Sequence, residues 1–181
     1  MSKLSQAIAE GDGISFIVEV DDAASAEAAE SQGADGLAVH SGVNAVRATS
    51  QLPLLHLGTT SDARATADAV VIEPDLALWD EAHALGLECV VRVTEASDLE
   101  RSLDDFDPEV FLLTVDQDAS DDPLPALLDL LHDVPAGKLA IAELHDATPD
   151  EVSELERSGV DAVLVSPGGL KTLIQAGPPD V

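Results

Sequence analysis

The sequence is short of cations and of aromatic rings. Eight Lys and Arg stand against 36 Asp and Glu, a formal net charge of −28, and lysine occurs only at Lys3, Lys138 and Lys171. So few cations exclude nucleic-acid binding through a basic surface. Aromatic residues make up 2 % of the chain: three Phe, one Trp and no Tyr. The single Cys89 excludes a disulfide scaffold. There is no apolar run of the roughly 18 residues that a membrane helix needs. The opening residues MSKLSQAIAEGDG lack the apolar stretch of a signal peptide. A soluble, cytoplasmic protein is the expectation, with neither nucleic acid nor membrane as partner.

What is present is material for a core. Hydrophobic residues make up 45 % of 181 residues, which separates this chain from the acidic sequences that stay disordered. The charge must then be carried by a folded surface. Self-repulsion of that size opposes compaction in dilute buffer, whereas at molar salt the Debye length falls to about 3 Å. A cytoplasm holding molar salt is therefore expected.

Two kinds of segment alternate. Apolar, β-branched runs occupy residues 14–20, 36–40, 54–57, 69–72, 89–93, 110–115, 139–142 and 162–165. They are nearly continuous in Val, Leu and Ile, as strands covered on both faces are. Helical stripes lie between them, with Leu124, Leu127, Leu128 and Leu131 as one and Ala96, Leu99, Leu103 and Phe106 as another. Leu78, Ala82 and Leu85 make a third, with Trp79 one position off it and shielding the exterior. Thr148-Pro149-Asp150-Glu151 has the form of a capping box, and Gly33, Gly86 and Gly159 mark helix ends. Asp21-Asp22 and Asp121-Asp122 precede helices, where negative charge suits the dipole.

Eight strands alternating with helices predict a compact (β/α)8 barrel formed by residues 1–181 as one domain. Barrels of this kind typically take about 250 residues, so this one is unusually short. Its third unit is the tightest, leaving residues 61–67 for a helix. Apolar strand exterior left bare there is expected to be covered by a homodimer contact. An open doubly wound sheet is the competing architecture. The frame Gly-x-Asp-x-apolar-x-Val occurs at Gly33 to Val39 and again at Gly159 to Val165, a repeat of βα units that carries no chemistry by itself.

The stretch LAIAELHDATPDEVSELERSGVDAVLVSPGGL, residues 139–170, resembles indole-3-glycerol phosphate synthase, a (β/α)8 barrel of tryptophan biosynthesis. Weaker similarity covers residues 86–118 and 14–39. The resemblance implies a carbon–carbon lyase or isomerase chemistry on a small phosphorylated anthranilate- or indole-type metabolite. Glu19 falls at the family's first-strand Glu and Glu143 at its seventh-strand Glu. Asp21 stands where the family has a substrate-binding Lys, and Leu57 where it has the general-acid Lys. Arg92 replaces the fifth-strand general-base Glu, and Thr114 the sixth-strand Asn. Leucine has no proton to give and arginine stays protonated, so the family's Lys and Glu catalysis is not carried over. In the sibling isomerase of the same pathway a sixth-strand Asp acts, and Asp116 falls near that place. The family's phosphate cradle corresponds to Ser166, Gly168 and Gly169, with Lys171 adding charge. Leu144-His145 replaces a smaller Ser-Gly, and a plain glycine turn is the competing reading.

Alternation places Glu19, Asp21, Arg92, Thr114, Asp116 and Glu143 inward at the carboxyl ends of strands one, five, six and seven. As a working site, Arg92 balances the carboxylates while Glu19, Glu143 or Asp116 moves protons. As a remnant, Arg92 merely neutralises Glu19 or Glu143, and the side chains sum to near-neutral charge. An enzyme or metabolite binder and a non-catalytic interaction protein both remain open. His40, His56 and His145 lie near strand ends, where Asp21, Asp116 and Glu143 could complete a metal site, but without a ligand spacing they read as surface or loop residues, His56 on the outward parity. No metal or cofactor is expected. His83 and His132 read as solvated, and Cys89 as a small buried hydrophobe.

Overall fold

The computed structural model describes residues 3–11, 13–63, 66–115 and 122–175. Eight parallel strands close into a barrel in sequence order. They are β1 (Ser15–Glu19), β2 (Gly36–Val39), β3 (Leu54–His56), β4 (Ala69–Ile72), β5 (Glu88–Val93), β6 (Val110–Leu113), β7 (Leu139–Glu143) and β8 (Ala162–Val165). The apolar runs gave these strands to within two residues at either end, and the open sheet is excluded by the β1–β8 pairing of Val18 with Val165.

The helices are α1 (Lys3–Ala9), α2 (Ala23–Ser31), α3 (Val43–Thr49), α4 (Thr60–Ala63), α5 (Leu76–Ala84), α6 (Ala96–Asp105), α7 (Leu124–Asp133), α8 (Pro149–Ser158) and α9 (Leu170–Gln175). Their ends follow the sequence signals. Thr148 accepts from the Glu151 N–H while the Glu151 carboxylate reaches back, and Gly159 closes α8 at φ 97°. Asp22 caps α2, and the Ser25 backbone and hydroxyl hold its carboxyl below the ordinary range. Asp121 lies outside the described residues.

Side chains alternate between two apolar layers. One fills the barrel with Ile17, Ala38, Leu55, Val71, Val90, Leu112, Ile141 and Leu164. The other, with Val18, Leu37, Leu54, Val70, Val91 and Phe111 among its members, lies between strands and helices. Trp79 is half-buried in this outer layer and stacks on Phe106 with ring centroids 4.7 Å apart. Cys89 is buried, and burial together with the neighbouring Glu88 charge pushes its thiol up to about 12, so it stays protonated.

Helix α1 was not anticipated, because seven residues are too few for periodicity to speak. Leu4 and Ile8 are buried against the interior layer and close the amino end of the barrel. Burial of each contributes about 1.5–3 kcal/mol. The Ser5 N–H donates to Glu88 Oε2 at 3.3 Å, and Lys3 pairs with Asp68 at 3.4 Å.

The repeated Gly-x-Asp frame has a structural meaning. Asp35 accepts from the Phe16 N–H (2.8 Å) and Asp161 from the Ala140 N–H (2.8 Å), each clamping one strand start to the next. Asp68 does the same for Leu54 at 3.0 Å without the glycine. In the cramped third unit α4 is a single turn, and Arg47 supplies what a longer helix would. Its guanidinium donates to the carbonyls of Thr66, Ser50 and Leu52 and to the Asp68 carboxylate, tying α3 to the starts of β3 and β4. No helix among the described residues is long and apolar enough to cross a membrane.

Candidate functional site

Two residues beyond each interior position, the next inward side chain stands at the carboxyl end of its strand. That rule collects Glu19, His40, Leu57, Glu73, Arg92, Thr114, Glu143 and Ser166 into one ring around the mouth. Such a mouth is where barrel enzymes place their chemistry.

One side of the ring is a chain of polar contacts. His40 Nε2 lies 3.3 Å from Glu19 Oε1, and the other Glu19 oxygen lies 3.8 Å from His145 Nδ1. His145 Nε2 lies 3.3 Å from Glu143 Oε1, whose second oxygen accepts from the Thr114 hydroxyl at 2.6 Å. The Thr114–Glu143 contact follows from register: Leu113 pairs with Ala142, so the next residues are neighbours. An imidazole between two carboxylates can accept a proton at one nitrogen while the other is held, the arrangement general acid–base chemistry uses.

The other side holds Arg92. Its ion-pair partner among the described residues is Glu73, 3.8 Å away, and not Glu19 or Glu143, the partners of the remnant reading. Register again decides, since Ile72 pairs with Val91 and brings Glu73 beside Arg92. The Arg92 Nε is buried with no hydrogen-bond partner among the described residues, while the side chain as a whole is 27 % exposed. It borders a cleft of about 370 Å³ whose apolar wall includes Leu57, Val71, Ile72 and Leu78.

Of the remaining expected site residues, Asp21 is exposed, and its backbone N–H donates to Ser25 in the α2 cap. Asp116 lies outside the described residues. The Ser166 hydroxyl donates to the His145 carbonyl at 2.6 Å, so its proton ties the β7–α8 loop to β8 and is not free for a phosphate. Gly168 faces open space, and the exposed Lys171 stands in the first turn of α9. Gly169 turns the chain by donating its N–H to the Ser166 carbonyl at 3.1 Å.

The sequence reading left Glu73 and His40 out of this ring, and it read His145, which bridges two of the ring's carboxylates, as a surface or loop residue. The signal was available in the inward parity that selected Glu19 and Arg92, extended one step beyond strands two and four. His56 corrects a second expectation: it is fully buried, not a surface or loop residue. Among the described residues no group of three or more His, Cys, Asp and Glu is placed to hold a metal ion.

Fold and mouth define a (β/α)8 barrel with a polar ring at the carboxyl ends of its strands. No family model matches the chain. It is similar to the indole-3-glycerol phosphate synthase of Geobacillus sp. (strain WCH70), 29 % identical over 165 residues covering 77 % of this chain and 64 % of that protein. The synthase of Variovorax paradoxus (strain S110) is 34 % identical over 84 residues, 46 % of this chain and 32 % of the relative. The chain thus matches less than two thirds of either relative's length, and the resemblance to the synthases is borne out as a resemblance. Among solved structures, the N-acetylmannosamine-6-phosphate 2-epimerase from Clostridium perfringens superposes with TM-score 0.70 at 16 % identity, covering 89 % of each chain. A 3-hexulose-6-phosphate synthase gives 0.69 at 13 % identity over 90 % of this chain and 99 % of the other. These two likenesses show the fold.

Proposed function

We propose that this chain is an indole-3-glycerol phosphate synthase-like barrel that binds a small phosphorylated metabolite, of anthranilate or indole type, at the mouth. It does so without the Lys and Glu catalysis of the synthases. The observation that carries this reading is Arg92 at the edge of the apolar-walled cleft of about 370 Å³. With one ion-pair contact among the described residues, at 3.8 Å, the guanidinium has donors to offer a ligand carboxylate, and Leu57 and Leu78 suit an apolar ring. Open space at Gly168 and the charge of Lys171 support a phosphate at the β8–α9 turn. Leu57 supplies no acid where the resemblance places a lysine.

The test is a thermal-shift panel in molar KCl. It holds inorganic phosphate, the carboxyphenylamino-deoxyribulose phosphate substrate of the synthases, indole glycerol phosphate and phosphoribosylanthranilate. A compound at 100 times its Kd adds about 2.7 kcal/mol of stability. Arg92→Met is expected to weaken the two carboxylate-bearing compounds and to spare indole glycerol phosphate. Silence across the panel from a cooperatively melting protein overturns the reading. The second reading, a non-catalytic paralogue that binds a protein partner, would then stand, favoured by Leu57 and Arg92 in place of the family's acid and base. One domain in a high-salt cytoplasm belongs to both readings. So does a homodimer beside α4, near the 51 % exposed Leu76, and a monomeric mass in molar KCl would remove it.

A further inference from the structure

Strand β3 ends on His56, whose side chain shares the outward face of Leu54, since Leu55 and Leu57 belong to the interior. The ring is 0 % exposed, and among the described residues neither nitrogen meets the geometry of a full hydrogen bond, the Val39 carbonyl being the one backbone acceptor that acts on it. The turn after β3 folds directly over it. A Cβ on Gly58 would stand 2.7 Å from Nε2, so position 58 has room for hydrogen alone. Beside the ring lies a cavity of about 490 Å³ that His40, Asn44 and Asp62 also line.

A neutral imidazole left unpartnered is costly but tolerable, whereas an imidazolium would bring two N–H donors and a charge to the same place. Burial holds the ring's pKa below its ordinary value. The Val39 carbonyl and the Asp62 carboxylate act against that and His40 acts with it, Asp62 and His40 being the charged or titratable groups that face it among the described residues.

We propose that His56 is an acid-sensitive latch: neutral, it seats beneath Gly58, and on taking up a proton it leaves for the cavity beside Asp62 and releases residues 57–63. Leu57, Gly58, Thr59, Thr60 and Ser61 also wall the cleft at Arg92. Acid therefore loosens that cleft, a consequence that rests on the proposed ligand site, while the latch itself does not. The sign follows from linkage. The open form takes its proton near the ordinary pKa of about 6.5 and the closed form only below it, so the closed form is fully favoured above about 6.5. Between the two values the opening constant rises up to about tenfold per pH unit.

The experiment is amide hydrogen exchange of residues 57–63 in the full chain at constant KCl, from pH 7.5 to 5, corrected for intrinsic exchange. His56 ring resonances are followed alongside. In the wild type, protection should fall by up to about tenfold per pH unit below about 6.5. His56→Leu should lose that dependence, and Gly58→Ala should open the segment already at pH 7.5. A ring that titrates near 6.5 with the segment still protected overturns the latch, as does an unchanged pH profile in H56L. Should H56L not fold, the wild-type ring and amide data decide alone. A segment that opens with acid while ligand affinity stays constant overturns only the link to the cleft. A protein that opens with acid but binds no panel compound at any pH overturns the proposed function and leaves the latch standing.

Discussion

Glu143 holds two neighbours with its two oxygens: the Thr114 hydroxyl at 2.6 Å and the His145 ring at 3.3 Å. One carboxylate thus fixes the ends of β6 and β7 and orients the imidazole that bridges to Glu19. Glu143→Gln keeps an oxygen for Thr114 and removes the charge facing His145. Loss of one partly buried charged contact should cost about 1 kcal/mol, read by urea unfolding. Ligand-induced thermal shifts should survive the change. A wild-type turnover that E143Q abolishes would make the site catalytic and end the binding-only reading.

Arg47 holds the third βα unit together through three carbonyls and the Asp68 carboxylate, with 21 % and 17 % of the two side chains exposed. Arg47→Met should destabilise the protein by about 3 kcal/mol, because Asp68 is left largely buried and short of its partner. Lys3 at 3.4 Å offers partial compensation. A loss under 0.5 kcal/mol in denaturant would mean that the single-turn α4 needs no such support.

Asp161 sits half-buried with its carboxylate on the Ala140 N–H, and burial raises its pKa above the ordinary value despite that hydrogen bond. A raised folded pKa favours the fold below the unfolded value of about 3.9 and costs stability once pH rises through the folded value. Asp161→Asn keeps the acceptor and removes the charge. It should be more stable than the wild type at pH 7, and the advantage should vanish below about pH 4. Melting curves at both pH values check it, and an advantage that persists in acid would assign the effect to packing.

The net charge of −28 should make stability rise steeply with salt. Between low and molar KCl the midpoint of thermal unfolding is expected to increase as screening shortens to about 3 Å. Equal midpoints would show that the acidic surface carries no such dependence and would remove the case for a high-salt cytoplasm.

The sequence by itself determined the strand order, the barrel and most helix ends. Val, Leu and Ile in continuous runs can only be buried on both faces, and cap residues such as Thr148 and Gly159 act on their immediate neighbours. Parity, a strictly local property, also put Glu19, Arg92, Thr114 and Glu143 on the inward face. Which inward residues touch was decided by tertiary structure. Arg92 meets Glu73, and Thr114 meets Glu143, because interstrand register sets lateral neighbours and register is absent from a one-dimensional pattern. His145 bridges Glu19 and Glu143 only because closing the barrel brings β1 and β7 to either side of β8. The burial of His56 beneath Gly58, and the docking of Leu4 and Ile8 into the amino end, likewise needed the closed fold. Each is a contact between groups whose proximity exists only once long-range packing has removed the water between them.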